Sequence, residues 1–276
     1  MLAVALALGA SATWGLADFF GPLKARTLGA LRVLVYVQLG GLVVIALIVA
    51  IRWKGLADLN ALFAIPAAIS GTLGLYAYYR GMAVGAMSIV APIAGISAAV
   101  PVIFGIATGD RPSLSQWLGI AAALGGVFLA SREPGRRGGK VAAGVGLALL
   151  AAIGFGGYFP PMHVAGNADF WWASLFFRMT STSIILAAVA IRRPSLAVAP
   201  TQVPLLALIG IGDMLGNLLF AAASTSGLVS ITSVLASLFP IVTVVLARLV
   251  LRERVTRSQE AGIALTLAGI ALISAG

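Results

Sequence analysis

The sequence predicts an all-α polytopic membrane protein: ten transmembrane helices arranged as two inverted five-helix repeats. Three observations carry that expectation. Of 276 residues, 61% are hydrophobic and only 9% charged, with a mean hydropathy of +1.07. A water-soluble domain carries roughly 25% charged residues. Apolar windows of about 20 residues, the length that crosses a hydrocarbon core, recur along the whole chain. Finally, the two halves of the chain end in the same way.

The first half closes on Asp110-Arg111-Pro112-Ser113-Leu114-Ser115-Gln116-Trp117-Leu118-Gly119-Ile120 and runs on to Gly126 and Ser131. The second closes on Glu253-Arg254-Val255-Thr256-Arg257-Ser258-Gln259-Glu260-Ala261-Gly262-Ile263 and runs on to Gly269 and Ser274. A constant offset of 143 residues aligns acid, Arg, Ser, Gln, Gly, Ile, Gly and Ser without a gap. Gly85-Ala86-Met87-Ser88-Ile89 likewise parallels Gly227-Leu228-Val229-Ser230-Ile231. Pro101-Val102 and Pro240-Ile241 fall inside corresponding apolar runs, whereas the start of each half matches only through Trp14-Gly15 and Phe155-Gly156.

Apolar windows in the first half give spans 2–22, 29–51, 60–80, 87–108 and 114–131. Those in the second give 141–162, 170–191, 203–223, 229–251 and 257–275. The polar stretch from Arg132 to Lys140 is the linker, so the repeats occupy residues 1–131 and 141–276. Ala10-Ser11-Ala12 resembles a cleavage site, but no basic segment precedes it and the apolar run continues through Phe20. The first span therefore reads as a retained helix. A five-helix unit begins and ends on opposite sides, so its second copy must enter the membrane inverted. Inverted repeats put a pseudo-two-fold axis in the membrane plane and a site between the halves near mid-depth, the organisation of a transporter.

The net charge of +10 sits in small clusters between apolar runs. That is a topology signal, not the continuous basic face that nucleic acid needs. Loops after spans 1, 5, 7 and 9 hold Lys24, Arg26, Arg132, Arg136, Arg137, Lys140, Arg192, Arg193, Arg252, Arg254 and Arg257, against Arg52, Lys54 and Arg111 in the loops after spans 2 and 4. The positive-inside rule then puts the odd loops in the cytoplasm and both termini outside. With no Cys and one His, disulfides, thiolate metal sites and a His-rich centre are excluded. No metal, cofactor or enzymatic activity is expected.

Ionisable groups within a bilayer cost several kcal/mol unless paired or hydrated, so each one is a candidate. The deepest are Asp213 in the eighth span, with Asn217 one turn later on the same face, and Arg178 in the seventh. Either Asp213 binds a substrate amine or a proton and Arg178 a carboxylate, or the two form a structural ion pair that lets both helices insert. Asp18, one turn after Trp14, faces a cavity or lies at the interface near Lys24. Among the aromatic residues that could wall a site, Tyr76, Tyr79, Phe155 and Tyr158, only Tyr76 is deep enough to favour. Arg32 and Arg80 snorkel, His163 lies near a span end, and Trp171-Trp172 reads as an interfacial belt. Gly119/Gly126 and Gly262/Gly269 make stripes for packing, within the chain or in a homodimer. Pro92, Pro101 and Pro240 kink their helices or are merely tolerated.

Two five-helix halves, Trp14-Gly15, the aromatic run Tyr76-Ala77-Tyr78-Tyr79, and Pro101-Val102 or Pro240-Ile241 together resemble the drug/metabolite transporter superfamily. The half-ending pattern of acid, Ser-Gln and Gly-Ile resembles its EamA branch, and the likeness covers essentially the whole chain. Asp110 departs from the family's usual Glu. The resemblance also implies cytoplasmic termini, opposite to the charge count, which we follow because it belongs to this sequence. It implies secondary transport, often export, of amino acids or related small metabolites across a bacterial plasma (inner) membrane. The partners would be a small-molecule substrate and membrane lipid. One alternative is a flippase for a lipid-linked sugar, which shares the fold. Another class is suggested by Gly210-Ile211-Gly212-Asp213, the Gly-x-Gly-Asp of intramembrane aspartyl proteases, with Asp18 as second carboxylate. However, Ala17 stands before Asp18 where that family has Tyr, and an inverted repeat has no place there.

Overall fold

The computed structural model describes residues 1–83, 94, 97, 99–130, 141–250 and 257–275. The linker 132–140, the Gly85–Ile89 segment, Pro92 and Glu253 lie outside them. Helix α1 (Leu2–Leu28) runs to Gly29, whose φ of +87° suits glycine, and α2 (Ala30–Arg52) starts at the next residue. A 3-10 turn, Leu59–Phe63, is capped by Asp58, which accepts from the Asn60 N–H at 2.8 Å, and leads into α3 (Ala64–Ala83). Helices α4 (Ala99–Ala107) and α5 (Leu114–Ala130) follow. At the start of α5 the Gln116 N–H donates to Ser113 Oγ at 3.2 Å, and the Ser113 N–H donates to Gln116 Oε1 at 2.9 Å. This is a capping box. The repeated Gln116 thus has a local duty here, starting the last helix of its half.

Val141–Arg192 is a helical run of 52 residues. At 1.5 Å per residue that is about 78 Å, more than twice a hydrocarbon core. Asp169, with φ −165° and ψ 110°, divides it. Its carboxylate accepts from the N–H groups of Trp171 at 2.8 Å and Trp172 at 3.2 Å, capping a new helix. The two arms are α6 (141–168) and α7 (170–192). Beyond them lie α8 (Val203–Ser224), α9 (Val229–Ala236), α10 (Phe239–Val250) and α11 (Arg257–Ala275). Helices α9 and α10 occupy what the hydropathy pattern marked as one span. Pro240 has no N–H to donate. The chain passes the junction on short i→i+3 bonds, Leu238 N–H to the Leu235 carbonyl and Ile241 N–H to the Leu238 carbonyl.

Close contacts at glycine reveal how the halves are related. Gly216 of α8 lies against the Trp14 ring of α1, and Gly74 of α3 lies against Phe155 of α6. Gly15 of α1 meets Phe239 and Val242 of α10, while Gly156 of α6 meets Ser97 and Val100 at the fourth-helix region of the other half. Exchanging the halves at an offset of 141 or 142 residues converts each contact into its twin. Helices α5 and α11 cross with Gly119 against Gly269 and Gly126 against Gly262, so these equivalent helices run in opposite directions. Their glycine stripes pack within the chain.

Five helical stretches among the described residues are long and apolar enough to cross a membrane: Leu2–Leu28, Ala30–Arg52, Leu59–Gly81, Leu149–Arg192 and Pro200–Ser224. Leu39, Val43 and Leu47 form an exposed apolar stripe on α2, while Gln38, Arg178 and Asn217 are buried. That distribution is right for lipid outside and polar groups inside. At one end Trp171 lies under the Arg52 guanidinium, 4.6 Å from ring centre to Cζ, and Trp172 Nε1 donates to the Lys54 carbonyl at 3.1 Å. Both indoles are thereby anchored at a helix terminus, as an interfacial belt requires.

Candidate functional site

Five helices each turn an i, i+4 pair toward one cavity, a spacing that puts both side chains on one face. The pairs are Trp14/Asp18 on α1, Gly71/Leu75 on α3, Phe155/Phe159 on α6, Phe177/Ser181 on α7 and Asp213/Asn217 on α8. Gln38, Thr72, Tyr158 and Phe239 complete the lining, which encloses about 70 Å³. That is room for about five to seven waters. Both halves contribute, and the positions are related by the repeat. Trp14 and Asp18 correspond to Phe155 and Phe159 at an offset of 141, and Gly71 and Leu75 to Asp213 and Asn217 at 142.

The deepest charge is Arg178, with 0% of its surface exposed. Its Nη2 donates to Asp213 Oδ2 at 2.6 Å and its Nη1 to Gln38 Oε1 at 2.5 Å. Gly41 of α2 makes the room, because a Cβ there would stand 3.1 Å from the guanidinium carbon. The Arg178 carbonyl accepts from Thr182 Oγ1 at 2.6 Å. Arg178 and Asp213 therefore form the ion pair that their depth and opposite signs suggested. Arg178 does not line the cavity, whereas the partly exposed carboxylate of Asp213 does. Asn217 also lines it, with its Nδ2 donating to the Asp213 carbonyl at 2.9 Å.

Asp18 is 8% exposed and lines the same cavity, well away from a lipid-facing position. Among the described residues it makes no hydrogen bond or ion pair. Trp14 beside it is buried, edge-on to Tyr158 at 5.8 Å and to Phe159 at 6.2 Å. Thr72, Tyr158 and Ser181 also belong to the lining, and their hydroxyls are buried with no hydrogen-bond partner among the described residues.

Five of the six expected site residues converge here or, for Arg178, directly behind the wall. Tyr76 is the exception. It is half-buried and off the lining, because α3 presents Gly71, Thr72 and Leu75 and the next position turns about 100° away. Phe155 and Tyr158 take the aromatic role instead. Thr72, Phe159, Phe177, Ser181 and Phe239 were not anticipated. A signal was available for one of them: once Asp18 is a candidate, the repeat points to Phe159.

His163 lies at the far end of α6, where its Nε2 is 3.1 Å from Asn167 Nδ2 and its ring meets Phe104 edge-on at 6.5 Å. It lines a separate, more open cavity of about 320 Å³ with Asp58, Asn60 and Thr108. Among the described residues no group of three or more His, Cys, Asp or Glu is arranged to hold a metal.

Comparison with curated proteins finds no match. Several solved structures match, among them a crystal structure with a TM-score of 0.78 at 17% identity, covering 99% of this chain and 98% of the other. Such a likeness speaks for the fold alone. The sequence matches the EamA-like transporter family over residues 1–132 and 142–275, the two halves in turn. With that match falling on both repeats around their shared cavity, the chain belongs to the EamA-like transporter family, within the drug/metabolite transporter superfamily.

Proposed function

We propose that this chain is a secondary transporter that exports small metabolites, amino acids or related compounds, across a bacterial plasma membrane. It does so by alternating access, with ten spans forming two inverted five-helix repeats and the cargo held between them. The observation that carries this reading is the cavity itself. Helices of both halves line it at repeat-equivalent positions, so a rocking of one half against the other opens it to alternate sides. Its polar groups are few and fixed among aromatic walls, the composition of a small-molecule site. A proteolytic reading is disfavoured, since the Asp213 carboxylate is engaged by Arg178 and not by Asp18.

The test fills the cavity. A Cβ on Gly71 would meet only Tyr158 and Phe177 at ordinary contact distances of 3.5–3.6 Å, so Gly71→Leu adds bulk to the lining without displacing backbone. The protein is reconstituted into liposomes and screened for counterflow of labelled metabolites. Gly71→Leu is expected to abolish the exchange seen with the unaltered chain while melting within a few degrees of it. Undiminished exchange by this variant would remove the cavity from the transport path.

A further inference from the structure

The lining also narrows the substrate class, an inference that rests on reading the cavity as the transport site. Among the described residues the cavity is lined by one carboxylate residue without a hydrogen-bond or ion-pair partner, Asp18, and by Thr72, Tyr158 and Ser181, whose hydroxyls are buried and unpartnered. All four residues are more than nine-tenths buried. Among the described residues no Lys or Arg lines it. Arg178, the guanidinium at this depth, is turned away, with one nitrogen on Gln38 and another on Asp213. Across Asp18, Asp213 and Arg178 the formal charge is therefore negative by one.

Consider what each end of an amino acid would meet. An ammonium beside Asp18 gains a charge-assisted hydrogen bond and lies among the aromatic rings of Trp14, Tyr158 and Phe159. A carboxylate in the same space loses its hydration, finds no cation on the wall and faces two carboxylates. A zwitterion is thus welcomed at one end and opposed at the other. A decarboxylated amine keeps the favourable end alone. The aromatic side chains set the rest of the shape, a flat apolar body.

We propose that the cavity recognises small protonated amines carrying a flat apolar body, in preference to the zwitterionic amino acids with the same body. Asp18 is the residue that holds the ammonium. Its repeat counterpart is Phe159, so this recognition is confined to one side of the pseudo-symmetric cavity.

Phenethylamine and phenylalanine differ by the carboxylate and serve as the probe pair. Purified protein is titrated with each, following thermal stabilisation and heat of binding, because a ligand of the native state raises apparent stability. Phenethylamine is expected to bind saturably, and at least about tenfold more tightly than phenylalanine. Asp18→Asn, which keeps the shape and removes the charge, is expected to weaken phenethylamine by about 30-fold or more. The comparison of the two ligands on the unaltered chain stands even where that variant folds poorly. Equal or tighter binding of phenylalanine, absence of binding by phenethylamine, or phenethylamine binding indifferent to Asp18→Asn overturns the proposal. Should phenylalanine bind as tightly as phenethylamine or more so, and Gly71→Leu abolish it, the substrate class fails while the cavity stands. Binding indifferent to Gly71→Leu removes the cavity as well.

Discussion

At the scale of single residues, the cluster of Arg178, Gln38 and Asp213 shows how a charge is kept inside a membrane protein. Arg178 has no exposed surface, and two of its nitrogens are satisfied by one carboxylate and one amide. Removing one partner of a buried pair leaves the other charge uncompensated, at a cost of about 3–5 kcal/mol. Asp213→Asn is therefore expected to lower the melting temperature of the purified protein markedly, with Arg178→Met doing the same. Combining them in an Arg178→Met, Asp213→Asn double variant should recover much of the loss, since neither charge is then stranded. Strict additivity of the two losses would show that the pair is not energetically coupled. Asp18 next to it is the opposite case, a carboxylate with no such partner. Loss of transport in Asp18→Asn without loss of stability would separate the two carboxylates into a binding group and a structural one.

At the scale of elements, the residues that recur between the halves are explained by helix ends and helix contacts. Ser113 and Gln116 box the start of α5. Asp110 reaches across to the other half, where its Oδ2 accepts from the Ser230 N–H at 2.8 Å and from Ser230 Oγ at 2.6 Å. It thereby satisfies an otherwise unpaired donor in the first turn of α9 and places negative charge at the positive end of that helix. Asp110→Asn is expected to cost about 1 kcal/mol, read as a small downward shift of the thermal midpoint. The α5–α11 crossing is more demanding. Gly119 and Gly126 abut the backbone of α11 so closely that any side chain would force the helices apart. A Gly126→Val variant is expected to lose the monodisperse peak in size-exclusion chromatography, and a normal profile would count against this contact as a fold determinant.

Considered as a whole molecule, the two halves are exchanged by a two-fold relation that the glycine contacts trace residue by residue. The bundle also has two electrostatically different ends. One gathers Lys24, Arg26, Arg32, Arg192 and Arg193 at the junctions of α1 with α2 and after α7, where Arg32 Nε donates to the Ser195 carbonyl at 2.7 Å. The other carries Arg52 and Lys54 together with Asp58, Asp110 and Asp169, and Arg52 lies 4.0 Å from Asp169. On the positive-inside rule we propose that the first end is cytoplasmic and the end bearing both termini external. A reporter fused after Gly276 that is active only in the cytoplasm is accordingly expected to stay silent. A bright signal reverses the orientation and, with it, the side from which each half opens.

Much of this was legible in one dimension because bilayer insertion constrains sequence strongly. Hydropathy marked the apolar spans, an offset of 143 residues marked the halves, and depth alone singled out Arg178 and Asp213. Those are properties a residue has by virtue of its place along one helix. What only the tertiary structure decided is which way each helix is turned. Tyr76 and Leu75 are neighbours in sequence, yet only Leu75 meets the cavity, since one residue rotates the side chain by about 100° and packing against α6 chooses the face. The same rotational choice takes Arg178 out of the cavity and leaves Asp18 in it. The sequence by itself determined an integral membrane protein in two repeats, through hydrophobicity and duplication. Tertiary packing decided which charge is neutralised and which remains to meet a ligand, because pairing depends on distances between helices that no single helix encodes.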